Sequence, residues 1–481
     1  MNLEPKALWE NFYKITEIAH PSKHEQKIAA FVKKFGEDLG LETTVDEIGN
    51  VIIKKPATPG FENAKGVILQ GHLDMVPQKN NDTVHDFETD PIDAYVEGEW
   101  VTAKGTTLGA DNGIGVAAAM AVLQSKNIEH GPIEALFTID EETGMTGAFA
   151  LKAGYLDGDI LINMDSEDEG ELYVGCAGGI DAEVLFSYKE ETVPSAVKAF
   201  ILNVSGLKGG HSGLDIALGR GNSNKILARY LDYAIEKWGM RLSKFDGGSL
   251  RNAIPRESFA IVTVPEENAD KIEDCVAKFV EVVKNEISVA EPNFTMTASS
   301  TELPSSLIEE EIQNKLIASI YACPNGVIRM SDTMEGVVET STNLAIVKSG
   351  NGKIDVNCLL RSSVDSAKQD LSKMIENVFV LAGAEVKFSG EYPGWKPNKD
   401  SEILKTMSEV YNSKFGKIPE IKVIHAGLEC GILGASYPHW DMISFGPTIR
   451  FPHSPDEKVN IETVKMFWDF LLETLKNIPS K

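Results

Sequence analysis

The chain has 481 residues, 42% of them apolar and 25% charged, the usage of an ordinary globular protein. At ~150 residues per domain, this length predicts two to four domains. The balance of 46 basic against 72 acidic residues gives a net charge of −26, which excludes a phosphate-binding nucleic-acid surface and suits sites built from carboxylates. Cys176, Cys275, Cys323, Cys358 and Cys430 are few, scattered and odd in number, so neither a disulfide scaffold nor a thiolate metal site is expected. Glu4, Lys6 and Glu10 interrupt any apolar N-terminal run, and the weakly polar residues 113–123 are far short of the ~20 needed to span a bilayer. A cytoplasmic protein without membrane or nucleic-acid partners is expected.

In chain order, a short apolar strand at 67–70 ends in Gly71-His72-Leu73-Asp74. Ala110-Asp111-Asn112-Gly113 then opens an alanine-rich helix running to about Gln124. A second strand, 132–139, ends in Asp140-Glu141-Glu142-Thr143-Gly144, and a third, 159–164, ends at Asp165. Continuous apolar strands alternating with helices predict a buried, mostly parallel sheet, and such sheets gather ligands at their carboxyl ends. From about residue 180 the pattern changes to longer alternating strands and amphipathic helices. One unit is predicted as strand 199–205, helix 222–239, strands 241–248 and 257–265, helix 267–289 and strand 293–299. A second is helix 306–322, strands 326–332, 337–348 and 353–362, helix 365–382 and strand 384–390. The two read as similar antiparallel halves. The α/β texture returns from about 394 and ends in a helix at 461–477. The expected architecture is therefore an α/β domain split in sequence (1–180 and 391–481) around an inserted α+β domain (181–390) made of two similar halves.

The chemistry-bearing residues sit at the ends of these elements. Alone, His72-Leu73-Asp74 reads as an exposed loop pair, though a metal-ligating histidine usually donates its other ring N–H to a carboxylate, a part Asp74 can play. Asp111 alone reads as a helix N-cap, yet its glycine-rich surroundings permit close approach, and its two oxygens can bridge two cations. Adjacent Glu141 and Glu142 repel each other unless solvated or neutralised, so either they lie in water or one is a ligand and the other a general base. Asp165 is a further candidate ligand, while Glu167, Asp168 and Glu169 read as a solvated acidic turn. Prolines fix the backbone around His453, and Gly209-Gly210-His211-Ser212-Gly213 places a histidine on a flexible loop of the inserted domain. Two histidines and three carboxylates can hold two zinc ions sharing one aspartate, because zinc accepts imidazole and carboxylate where no thiolate is offered.

The motifs GHLDMV, GADNGIG, DEETGMTGA, LINMD, GGHSG and HSPDE resemble the co-catalytic di-zinc peptidases that include aminoacylase, carboxypeptidase G and carnosinase. CAGG at 176–179, HAGLECG at 425–431 and SFGPTIR at 444–450 are similar to the bacterial aminoacyl-histidine dipeptidases of that family, and the resemblance runs along essentially the whole chain. It implies a di-zinc catalytic domain with an inserted lid. His72 and Asp165 would bind one zinc, Glu142 and His453 the other, and Asp111 would bridge them, with a cis peptide to Asn112. Asp74 would orient His72, Glu141 would be the general base, and His211 would polarise the scissile carbonyl. Asn252, Asn343 and Arg361 are candidates for holding the substrate carboxylate. Phe451-Pro452 before His453 departs from the small residues expected there.

What the resemblance implies is a cytosolic metallopeptidase that cleaves Xaa-His dipeptides such as β-alanyl-histidine, using zinc-activated water, two zinc ions per chain, and cobalt or manganese as substitutes. Its partners would be small peptides, and both a monomer and a homodimer are compatible. Another member of the same chemistry (aminoacylase, tripeptidase or carboxypeptidase) is the nearest alternative. A non-catalytic scaffold retaining the fold is the more distant one.

Overall fold

Residues 67–70 are apolar apart from Gln70, and they form the interior of strand Val67–His72, which is buried from end to end. Parallel neighbours flank it, Ile133–Thr138 on one side and Ile160–Asn163 on the other. Asp441–Ser444 extends the parallel block. In this computed structural model, which describes residues 3–481, the sheet grows to eight strands by antiparallel additions at both edges. The expected mostly parallel sheet is therefore a parallel centre with antiparallel flanks. The flank formed by Glu42–Val45 and Val51–Lys55 is a hairpin, which needs only a short turn where a parallel pair needs a long crossover.

Helix Ala110–Gln124 is apolar on every side and buried along almost its whole length, and its run of alanines lets it lie close against the sheet. Helix Lys6–Thr16 covers it with Leu8, Trp9, Phe12 and Ile15. At the C-terminus, the Asn460 side chain accepts the Thr463 N–H and so starts helix Ile461–Lys476. A separate antiparallel sheet of four strands runs Ile449–Arg450, Lys458–Asn460, Trp100–Ala103 and Ala94–Glu97. It places the 451–457 loop beside the segment leading into residue 111.

These elements form one compact unit: the described residues up to Gly175, with Trp395–Val423 and Leu428–Lys481. The second unit is Cys176–Gly394 with Ile424–Gly427. The sequence places the boundaries at 180/181 and 390/391, and the contacts divide the chain at 175/176 and 394/395. Segment 424–427 joins the second unit because the Ala177 N–H donates to the carbonyls of Ile424 and Ala426.

The second unit is built on one antiparallel sheet, in the order Thr295–Thr301, Val197–Ser205, Ser258–Pro265, Arg241–Gly247, Val338–Gly350, Lys353–Ser362, Gly178–Ser187, Glu385–Tyr392. Helices Ser223–Trp238, Ile272–Ile287, Glu310–Ala322 and Asp365–Leu381 contribute to its core. The helix expected at 267–289 is two pieces, Glu266–Ala269 and Ile272–Ile287. The one expected from 306 starts at Glu310, because buried Leu307 and Ile308 pair as a short strand with Glu190–Glu191. Among the described residues, no helix is long and apolar enough to cross a membrane.

Candidate metal centre

The parallel strands deliver their terminal polar residues to one place. His72 ends its strand almost fully buried. Its Nδ1 lies 3.0 Å from the Asp74 carbonyl oxygen and 3.4 Å from Asp74 Oδ1. Its Nε2 faces Asp111 Oδ1 at 3.1 Å and Asp165 Oδ1 at 3.3 Å. His453 Nε2 lies 3.0 Å from Glu142 Oε2 and 3.4 Å from Asp111 Oδ2. The two oxygens of Asp111 thus serve different histidines.

Donor atoms of His72, Asp111 and Asp165 lie within 4.8 Å of one another, as do those of Asp111, Glu142 and His453. These two sets share Asp111. His72, Glu141 and Glu142 form a further such group.

The electrostatics follow from this crowding. Burial pushes the Glu141 and Asp165 carboxyls well above the usual carboxylate range, and their acidic neighbours add to the effect. Glu142 is raised too, chiefly by burial. Burial also works against the charge of Asp111, but hydrogen bonds from His453 and His72 outweigh it and hold that carboxyl low. Asp111 and Glu142 lift His453 to about 11. For His72, burial opposes the charged ring, and Asp165, Asp111 and Asp74 overcome it.

Among the described residues, the ion pairs of this group are made by two imidazoles, His72 and His453. Glu142 Oε1 is buried with no hydrogen-bond partner among the described residues. A thiolate-free set of imidazole and carboxylate donors with excess negative charge fits hard-to-borderline divalent cations such as zinc.

Other side chains hold this arrangement. Asp74 accepts the Glu141 N–H at Oδ1 (3.0 Å), and at Oδ2 the Glu142 N–H (3.2 Å) and the Ser22 hydroxyl (2.9 Å). It ties the end of the His72 strand to the turn bearing both glutamates. Asp140 turns away from that pair onto the hydroxyls of Thr143 and Thr146. The Asp111–Asn112 peptide is cis. Asn112 Nδ2 donates to the Met164 carbonyl at 2.6 Å. A Cβ on Gly71 would sit 2.2 Å from Asn112 Oδ1, and one on Gly115 would sit 2.6 Å from it. This close approach explains Gly71 of GHLDMV and Gly115 of GADNGIG.

Three carboxylates had little or no signal in the sequence. Glu429 is fully buried and accepts from Gln70 Nε2 (2.6 Å) and Thr138 Oγ1 (2.8 Å), with burial pushing its carboxyl up to about 7. Glu457 accepts four backbone N–H groups of residues 108–111. Glu167, expected in a solvated turn, is half-buried, and burial and Asp111 push it up to about 7. Phe451 is exposed, with the Lys458 ammonium over its ring at 5.7 Å.

The remaining expected site residues lie in the second unit. His211 Nδ1 accepts the N–H groups of Gly213 (3.2 Å) and Leu214 (3.0 Å). An acceptor Nδ1 leaves the ring proton on Nε2, and burial with the nearby Arg361 lowers the ring's pKa, favouring the neutral form. Arg361 is buried. Its Nη1 donates to the Tyr392 hydroxyl at 3.1 Å, and its Nε has no hydrogen-bond partner among the described residues. Among the described residues, no carboxylate pairs with it. His425 joins this neighbourhood through Ser341 Oγ at 2.7 Å from Nε2, and burial pushes its pKa down to about 3. Asn343 donates to the Ala253 carbonyl (2.8 Å) and supports the turn on which Asn252 is exposed.

Residues 68–477 match the peptidase family M20/M25/M40, and the chain belongs to that family. It is a peptidase. It is 48% identical to the cytosol non-specific dipeptidase of Escherichia coli (strain K12), over all of this chain and 99% of that protein. Among solved structures, the aminoacylhistidine dipeptidase of Vibrio alginolyticus matches with a TM-score of 0.97 and 53% identity, covering all of this chain and 98% of the other. A tripeptidase from Staphylococcus aureus matches with a TM-score of 0.57 at 17% identity, over 99% of each chain. That last likeness is one of fold.

Proposed function

We propose that this peptidase is a di-metal dipeptidase that hydrolyses Xaa-His dipeptides such as β-alanyl-histidine. The observation that carries this reading is Asp111, with one oxygen toward His72 and the other toward His453. His72 and Asp165 would hold one ion, Glu142 and His453 the second, and Asp111 both. Two zinc ions bound there would supply Lewis acidity and a water that ionises near neutral pH.

The chain's own residues account for the remaining chemistry. Glu141 hydrogen-bonds through its backbone to Asp74, and its carboxylate accepts the proton of the attacking water and returns it to the leaving amine nitrogen. Its raised proton affinity suits that task. Asp74 fixes the His72 ring through Nδ1, with its carbonyl oxygen at 3.0 Å and its carboxylate at 3.4 Å. His211 presents Nε2–H to the carbonyl oxygen as charge develops there. Arg361, a buried guanidinium without a carboxylate partner, receives the substrate's C-terminal carboxylate, and Asn343 steadies the turn presenting Asn252. The names of the two close relatives, both dipeptidases, support the same substrate length.

The test is a panel of substrates given to the purified, zinc-loaded chain: Xaa-His dipeptides, other dipeptides, their C-terminal amides, tripeptides and N-acetyl amino acids. The expected result is fastest turnover on Xaa-His dipeptides, with the amides strongly disfavoured. Equal or faster cleavage of tripeptides or N-acetyl amino acids would replace the dipeptidase reading with another activity of the same family.

A further inference from the structure

The segment around His453 is held in an uncommon backbone conformation. Phe451 and His453 both have left-handed φ values, 55° and 60°. Non-glycine residues persist in that region only where surrounding contacts over-determine them. One such set of contacts lies at the end of the same loop. Glu457 is 2% exposed, yet no basic side chain pairs with it among the described residues. Its carboxyl oxygens are met instead by a row of backbone donors. Oε2 accepts the N–H groups of Leu108 (2.7 Å) and Gly109 (3.0 Å), and Oε1 accepts those of Ala110 (2.8 Å) and Asp111 (3.3 Å). The Glu457 carbonyl also accepts the Thr102 hydroxyl at 2.7 Å, beside the Lys458–Thr102 strand pair.

We propose that Glu457 is a positioning residue that locks the loop carrying His453 to the segment carrying Asp111, and so sets the spacing between these two metal donors. The inference rests on the metal reading above. Asp111 and His453 come from distant parts of the chain, and a single carboxyl bonded to four consecutive N–H groups ties one segment to the other. Support of this kind to groups around a metal typically changes affinity or activity ~10–100-fold when removed.

The test is titration of the metal-free chain with cobalt(II), following binding affinity and the visible absorption bands of the ion. Wild type is expected to take up two ions. Glu457→Gln keeps size but turns an amide N–H₂ against two of the four donors. Weaker binding of at least one ion, by ~10–100-fold, and shifted cobalt bands are expected, with kcat lowered more than KM is raised. Glu457→Asp keeps the charge on a shorter arm and should fall between the two, and it decides the matter if the glutamine variant does not fold. Wild-type affinity and bands in a folded variant would overturn the inference. Failure of the wild type itself to bind cobalt would instead overturn the metal reading.

Discussion

Glu141→Gln is expected to slow dipeptide hydrolysis by ~10²–10⁴-fold with the metal content unchanged. Glutamine keeps the size of the side chain and leaves the backbone N–H bond to Asp74 in place, but it cannot accept the water proton near neutral pH. Glu142→Gln is expected to behave differently, although the residue is adjacent and chemically identical. Its Oε2 faces His453 at 3.0 Å and its Oε1 is an orphaned buried acceptor, so the loss should fall on metal affinity, and added zinc should restore part of the activity. Activity assays and elemental analysis on both variants separate the roles. Metal loss in the Glu141 variant with full occupancy in the Glu142 variant would reverse them.

His211→Ala is expected to lower kcat by ~10²–10³, the usual effect of removing one donor to a developing oxyanion. Metal content should stay at the wild-type level, because His211 lies in the second unit and every proposed ligand lies in the first. The Gly213 and Leu214 N–H groups commit Nδ1 to accepting, so Nε2 carries the proton. Burial and Arg361 keep the ring neutral by lowering its pKa, so the donor is present at neutral pH and is not lost as pH rises through the ordinary histidine range. Steady-state kinetics with near-normal kcat at saturating substrate would remove His211 from the mechanism.

Most candidate donors could be picked out in the sequence because they follow a continuous apolar run or open an apolar helix, whereas His453 lies in a loop marked only by its flanking prolines. His72 and Asp165 follow strands whose burial the residues themselves announce, and in a parallel sheet such ends converge. Asp111 was readable only through its glycines, and the structure shows that Gly71 and Gly115 make room for Asn112 Oδ1. Two adjacent glutamates already suggested one ligand and one base by their mutual repulsion, but which of Glu141 and Glu142 is which came only from family resemblance.

What stayed hidden depends on partners distant in the chain. Glu457 looked like the tail of a loop motif, because the N–H groups it accepts belong to residues 108–111 and backbone donors have no letter in a sequence. Glu429 meets Gln70 and Thr138 across the parallel strands, a pairing that requires strand order to be known. In the second unit, most strands fell within two or three residues of their expected places. The misplaced helix start at 306 reflects Leu307 and Ile308, whose burial as a strand beside Glu190–Glu191 overrides local helical pattern.

The central claim is that two ions sharing Asp111 make this chain a dipeptidase. Its most direct test is the rate of β-alanyl-histidine hydrolysis by the chelator-stripped chain as zinc is added back. The account expects negligible turnover without metal and a rise to full activity as the two donor sets built on Asp111 fill, levelling off at two zinc ions per chain. Full turnover by the stripped chain, or a plateau at a single equivalent, would contradict it.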